Sequence, residues 1–202
     1  MKKIFALLIV VATILAMVSC TTKPEQQSDG SATVADYNNA IAATTPTSAI
    51  IKTTYENTTP EVTLEGIYNV TYNVDGTATV SYKYEKLNSI GAATMKETVP
   101  AEGLASVNVG ADGSVTGGEM DTTVAAAAVS KLNLVESKIG YVISMGTIDA
   151  TIKAADTEEM LGFKIDSDVR LIMSMTADGK IGSYTINYST PAGKAGIVCM
   201  FN

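Results

Sequence analysis

Histidine and tryptophan are absent from this chain, and cysteine occurs only twice. Without an imidazole the commonest general base and the commonest transition-metal ligand are both missing, so zinc sites, Ser-His-Asp triads and Cys-His pairs are excluded. Catalysis by paired carboxylates or by Ser-Lys stays formally open, but no spacing supports either. The chain is therefore not read as an enzyme, and no cofactor or metal is expected. Basic residues are also scarce: 14 Lys and Arg stand against 21 Asp and Glu, a formal net charge of −7. Such a surface repels phosphate backbones, which argues against nucleic acid as a partner, and it offers no basic patch for anionic lipid.

The longest apolar run opens the chain. Met1, Lys2 and Lys3 supply a positively charged start, and Ile4 to Val18 are apolar or small except for Thr13. This is the architecture of an export signal. As a membrane span it is short, since a helix of that run covers roughly 22 Å against a hydrocarbon core of about 30 Å. Met17-Val18-Ser19-Cys20 then follows. It resembles the lipobox of bacterial lipoproteins, with Met17 in place of the usual leucine. The resemblance implies cleavage after residue 19, lipid on Cys20 and an extracytoplasmic location at a membrane surface, with more than one acyl chain giving stable attachment. Removing residues 1–19 takes away Lys2 and Lys3 and no acidic residue, so the net charge moves from −7 to −9.

Residues 20–33 are polar after Cys20, contain Pro24 and Gly30, and hold no apolar side chain larger than alanine. They read as a flexible tether. The remainder, 34–202, suits a single domain large enough to bury a core without disulfides. With Cys20 committed to lipid, Cys199 is alone. It alternates with Ile197 and Phe201 in a strand pattern and reads as a buried apolar side chain.

Periodicity assigns a short helix at Ala35–Ala43, where Val34, Tyr37 and Ile41 recur at helical spacing before Pro46. Strands follow at Ser48–Asn57 and Val62–Tyr72. Asp75-Gly76 is a hairpin turn signal, and the returning strand places Ala78, Val80, Tyr82 and Tyr84 on one side. Weaker strand signals cover Ala93–Val99 and Leu104–Val109. The four alanines within Asp121–Leu132 favour an inserted helix, with Asp121 or Thr122 as its cap. Extended patterning resumes over Tyr141–Lys153 around Gly146, and Thr157–Leu161 reads as one helical turn. A meander closes the chain: Asp168–Thr176, Lys180–Ser189 and Ala195–Phe201, joined by Asp178-Gly179 and Thr190–Gly193. Its last strand is apolar on both faces, which predicts cover on both sides.

Acidic turn residues and Asp166-Ser167-Asp168 match no calcium loop and read as local hydrogen-bonding groups. The glycine-rich stretch Gly110–Gly118 matches no phosphate-binding fingerprint and reads as a flexible loop. Nine tyrosines and a set of methionines remain, large soft side chains that fill a core or line an adaptable apolar cavity. The candidate lining consists of Tyr68, Tyr82, Tyr84, Leu171, Met173, Met175, Tyr184, Ile186 and Tyr188.

The order of elements, an amphipathic helix, a strand meander, a helical insertion and a final three-strand meander, resembles the half-barrel lipoproteins typified by the periplasmic lipoprotein carrier and the mycobacterial lipid-carrying lipoproteins. The resemblance spans roughly Ala35 to Asn202. It implies an α+β fold in which a strongly curved, mainly antiparallel sheet packs a few helices on one face and leaves a cavity for acyl chains. Two functional readings stay open: a binding module for a lipid or other apolar small molecule, and a structural module of the cell envelope whose partner is another protein.

Overall fold

In the computed structural model, residues 25–58, 61–90, 93–98, 105–191 and 193–202 are described. The export signal and Cys20 lie outside them. Twelve strands form one open mixed sheet: β1 (Gln26–Ser28), β2 (Ser48–Thr58), β3 (Glu61–Tyr72), β4 (Ala78–Ile90), β5 (Ala93–Thr98), β6 (Ala105–Val109), β7 (Val115–Thr116), β8 (Gly140–Ser144), β9 (Thr147–Ile152), β10 (Val169–Met175), β11 (Ile181–Thr190) and β12 (Gly193–Phe201). Three helices accompany them, α1 (Val34–Ala43), α2 (Thr122–Val129) and α3 (Thr157–Leu161). The expected α+β class, with a mainly antiparallel sheet, is what the chain adopts.

The strand order is β1-β8-β9-β10-β11-β12-β2-β3-β4-β6-β7, with β5 on the far half of β4. The C-terminal meander is therefore continuous with the N-terminal one: β12 zips antiparallel along β2 from Gly193↔Asn57 to Phe201↔Ala49. Pairing is antiparallel throughout except at β1, which runs parallel to β8.

Two expectations are corrected here. Residues 25–33 are not a free tether: β1 pairs Gln26–Ser28 with Tyr141–Ile143, and Gln26 Nε2 donates to the carbonyls of Glu136 (2.7 Å) and Ile139 (3.2 Å). Polar side chains do not prevent a strand at a sheet edge, because the ladder bonds are made by the backbone and an edge strand needs little apolar burial. Gly110–Gly118 is not loose either. A tight turn closes it, with Gly110 N donating to Ser114 O (2.8 Å) and Gly113 N to Gly110 O (2.9 Å), and Val115-Thr116 returns along β6.

The helices cover one sheet face. Thr33 and Asp36 cap α1 reciprocally, Asp36 N donating to Thr33 Oγ1 (3.2 Å) and Thr33 N to Asp36 Oδ2 (2.8 Å). Asp121 caps α2 by accepting from Thr123 N and Val124 N. Buried Val34, Tyr37 and Ala40 face the core from α1, and Val124, Ala125, Ala127 and Ala128 do so from α2, where alanine lets the helix approach closely. Inward strand residues complete the core: Ile51, Tyr68, Val80, Ile148, Leu171, Met173, Ile186, Ile197 and Cys199 are all buried. The other face is open. Val198 and Met200 of β12 are only half-buried there, so the last strand lacks the two-sided cover its composition predicts.

Candidate functional site: an apolar pocket between helices and sheet

The C-terminal ends of α1 and α2, together with strand residues, line one pocket of about 640 Å³. Its helix walls include Ile41, Ala42, Ala127 and Ala128, and Tyr72, Ile181, Tyr184 and Phe201 come from the sheet. Local chemistry sets the gap. Asn38 on α1 clamps the segment after α2 with two bonds to Leu134, Nδ2 donating to its carbonyl and Oδ1 accepting from its N–H, both 2.8 Å. Beyond α1, Thr44 Oγ1 accepts from Ile181 N (2.8 Å) and donates to Ala40 O (2.7 Å), tying the helix end to β11. The end of α1 is thus fixed relative to the segment after α2 and to β11.

Several polar groups around the pocket are bound within the protein itself. Tyr184 OH donates to Ala127 O (2.9 Å), and Ser130 Oγ donates to Leu161 O. Burial pushes the Tyr184 hydroxyl well above its ordinary pKa, so it stays protonated, and its ring packs 5.9 Å from Phe201. What the walls offer is mainly apolar surface, in the volume range of small-molecule sites. One charged side chain lines the pocket, Lys131, exposed and without an ion pair among the described residues.

The lining expected from the sequence maps onto this site at one position, Tyr184. Tyr68, Leu171, Met173 and Ile186 are fully enclosed in the core, with the helices packed over them. Tyr68 and Tyr82 stack with ring centroids 5.4 Å apart, and Tyr82 OH donates to Glu119 O. Met175 and Tyr188 sit half-buried at the margin of the core, and the Tyr84 side chain lies outside the described residues. An inward-facing apolar side chain reaches this pocket only where no helix covers it. Ile41 and Phe201 stood in apolar patterns in the sequence. The alanines of α2 gave no such signal, since small residues read as packing.

The open face carries two shallow depressions of about 580 and 810 Å³. Two ion pairs span their floors, Arg170 with Asp149 (2.6 Å) and Lys153 with Asp168 (2.7 Å). The acidic turns serve local roles: Asp75 accepts from Thr77 N and Asp112 from Ser114 N, each at 3.0 Å. Among the described residues no three His, Cys, Asp or Glu side chains gather as metal ligands. Cys199 is buried and free, its thiol pushed up to about 12 by burial. No protein-family model and no curated protein matches this chain.

Proposed function

We propose that this chain is a lipid-anchored, extracytoplasmic binding protein that takes an apolar small molecule into the pocket between α1, α2 and the sheet. The observation that carries the reading is the pocket's chemistry: Asn38, Thr44, Ser130 and Tyr184 spend their polar groups within the protein, so the greater part of what it presents to a guest is aliphatic and aromatic surface. Burying such surface is worth about 25 cal/mol per Å². The anchor rests on the lipobox-like Met17–Cys20, which would keep the pocket beside a membrane, where apolar ligands reside. The half-barrel lipoproteins supply the analogy for the finer architecture, a curved sheet with helices on one face and a ligand held between them. The missing histidine and the absence of a catalytic constellation in the sequence favour binding over chemistry.

Native mass spectrometry of the mature protein, purified from its own host before and after organic extraction, tests the reading. A stoichiometric apolar adduct that extraction removes is the expected result. Ala42→Phe places an aromatic ring at the exposed pocket wall and should lower adduct occupancy at least tenfold with the fold unchanged. A clean apo mass, with no uptake of added long-chain fatty acid or phospholipid, would overturn the proposal. It would leave an envelope protein that contacts another protein and carries no ligand.

A further inference from the structure

We infer that the β1 edge of the sheet is the membrane-facing side of this protein, kept near the lipid surface because only four residues separate Cys20 from Glu25. The inference rests on lipidation of Cys20, proposed above. It is carried by how few residues separate Cys20 from the point where the chain docks on the sheet. Glu25 is already in place: its carbonyl accepts from Tyr141 N at 2.7 Å. Gln26 to Ser28 then pair with β8, and Asp29 closes the attachment, its N–H donating to Ile143 O (3.1 Å) and its carboxylate accepting from Met145 N (3.0 Å). Between Cys20 and Glu25 stand Thr21, Thr22, Lys23 and Pro24.

Covalent geometry converts that count into a distance. Five residue steps at about 3.3–3.6 Å span at most about 18 Å. An acylated cysteine sits at the edge of the hydrocarbon, and the headgroup layer beyond it is roughly 5–8 Å thick. Glu25 is therefore held within about 13 Å of the outer boundary of the lipid. A domain of this length has a radius of gyration near 16 Å and a diameter of roughly 40 Å. The leash is shorter than the body it holds. β7, at the other edge, lies nine strand spacings from β8, about 43 Å measured along the sheet. An orientation with that edge toward the lipid and Glu25 more than about 13 Å away is excluded while β1 stays docked.

The surface beside Glu25 includes Ser137, Lys138, Tyr141 and Val142, of which Val142 is 47% exposed. Lys138 is paired with Asp156 (3.0 Å) and Glu159 (2.6 Å), so this is not a free basic patch. Proximity is imposed by tether length and not by charge, and it should persist at high salt.

The test uses the full-length lipidated protein in phosphatidylcholine vesicles carrying a headgroup spin label. An environment-sensitive fluorophore is placed at Ser137→Cys or, in a second protein, at Thr116→Cys on β7. Both positions are exposed, whereas native Cys199 is buried. Quenching several-fold stronger at position 137 than at 116, unchanged between low and high salt, is expected. Inserting roughly a dozen Gly and Ser residues between Lys23 and Pro24 should erase the difference, because a flexible chain of that length lets the domain tumble. Equal quenching at both positions with the native tether, in protein whose N-terminal peptide carries acyl mass, would overturn the orientation alone. Absence of acyl mass on Cys20 would overturn the orientation and the lipoprotein reading together.

Discussion

Replacing Gly66 with alanine should destabilise the protein, by an amount the geometry bounds. Gly66 lies on the inward face of β3, opposite Thr53 of β2, and an added Cβ would stand 2.7 Å from Thr53 Oγ1 and 2.7 Å from Tyr68 Cε2. Both distances are shorter than atoms tolerate. Neither neighbour can move away freely, since Thr53 is 2% and Tyr68 1% exposed and the Tyr68 ring rests on Tyr82. Overpacking of this kind costs about 1–3 kcal/mol. Alanine's smaller unfolded-state entropy offsets about 0.4–1 kcal/mol of that. The net loss is centred near about 1.3 kcal/mol, or roughly 3–5 °C in Tm for a chain of this size. Urea unfolding of the mature chain carrying Cys20→Ser measures it. Thr53→Ala removes one of the two clashes together with a buried hydroxyl that has no hydrogen-bond partner among the described residues. In that background the cost of Gly66→Ala should fall by at least about 0.5 kcal/mol. An unchanged or raised midpoint for Gly66→Ala would refute the steric reasoning.

Two further outcomes follow from single side chains. Thr157 is fully buried, accepts from Ile165 N (3.0 Å) and donates to Ala154 O (3.0 Å). Thr157→Ala should therefore cost about 1–3 kcal/mol by leaving a buried N–H unpaired, while Thr157→Ser retains most of the stability in the same unfolding assay. Hydrogen bonds from Ser31, and then from Met145 N, hold the Asp29 carboxyl down from 3.8 to about 2. Because the folded pKa is the lower one, its contribution is complete above about pH 4–5 and disappears as pH falls from there toward 2. Amide exchange at Met145 and Tyr141, corrected for its intrinsic pH dependence, should accelerate across that window, and the step should be absent in Asp29→Asn.

Much of the local structure was legible because its causes are local. Asp75-Gly76 and Asp178-Gly179 turn where a glycine at positive φ permits it, with Gly76 at 83° and Gly179 at 75°. The strand alternation on either side, the cap at Asp121 and the single turn at Thr157–Leu161 were equally readable. β1 was not, because periodicity detects strands that bury a face. Gln26–Ser28 buries none, and it is held by backbone bonds to a partner more than a hundred residues away. The pocket was illegible for a related reason. Leu171, Met173 and Tyr184 share one inward face, and nothing in their sequence neighbourhood separates the two under helix cover from the one at a gap.

The sequence by itself determined the export-signal pattern, the acidic and histidine-free chemistry, the strand faces and the turns, since each depends on residues near one another along the chain. Only the tertiary structure decided that β12 seals against β2, that β1 docks on β8, and that the ends of α1 and α2 line one pocket. Those outcomes depend on which distant backbone edges pair and on where one helix ends relative to another, and neither leaves a periodic mark in the residues themselves.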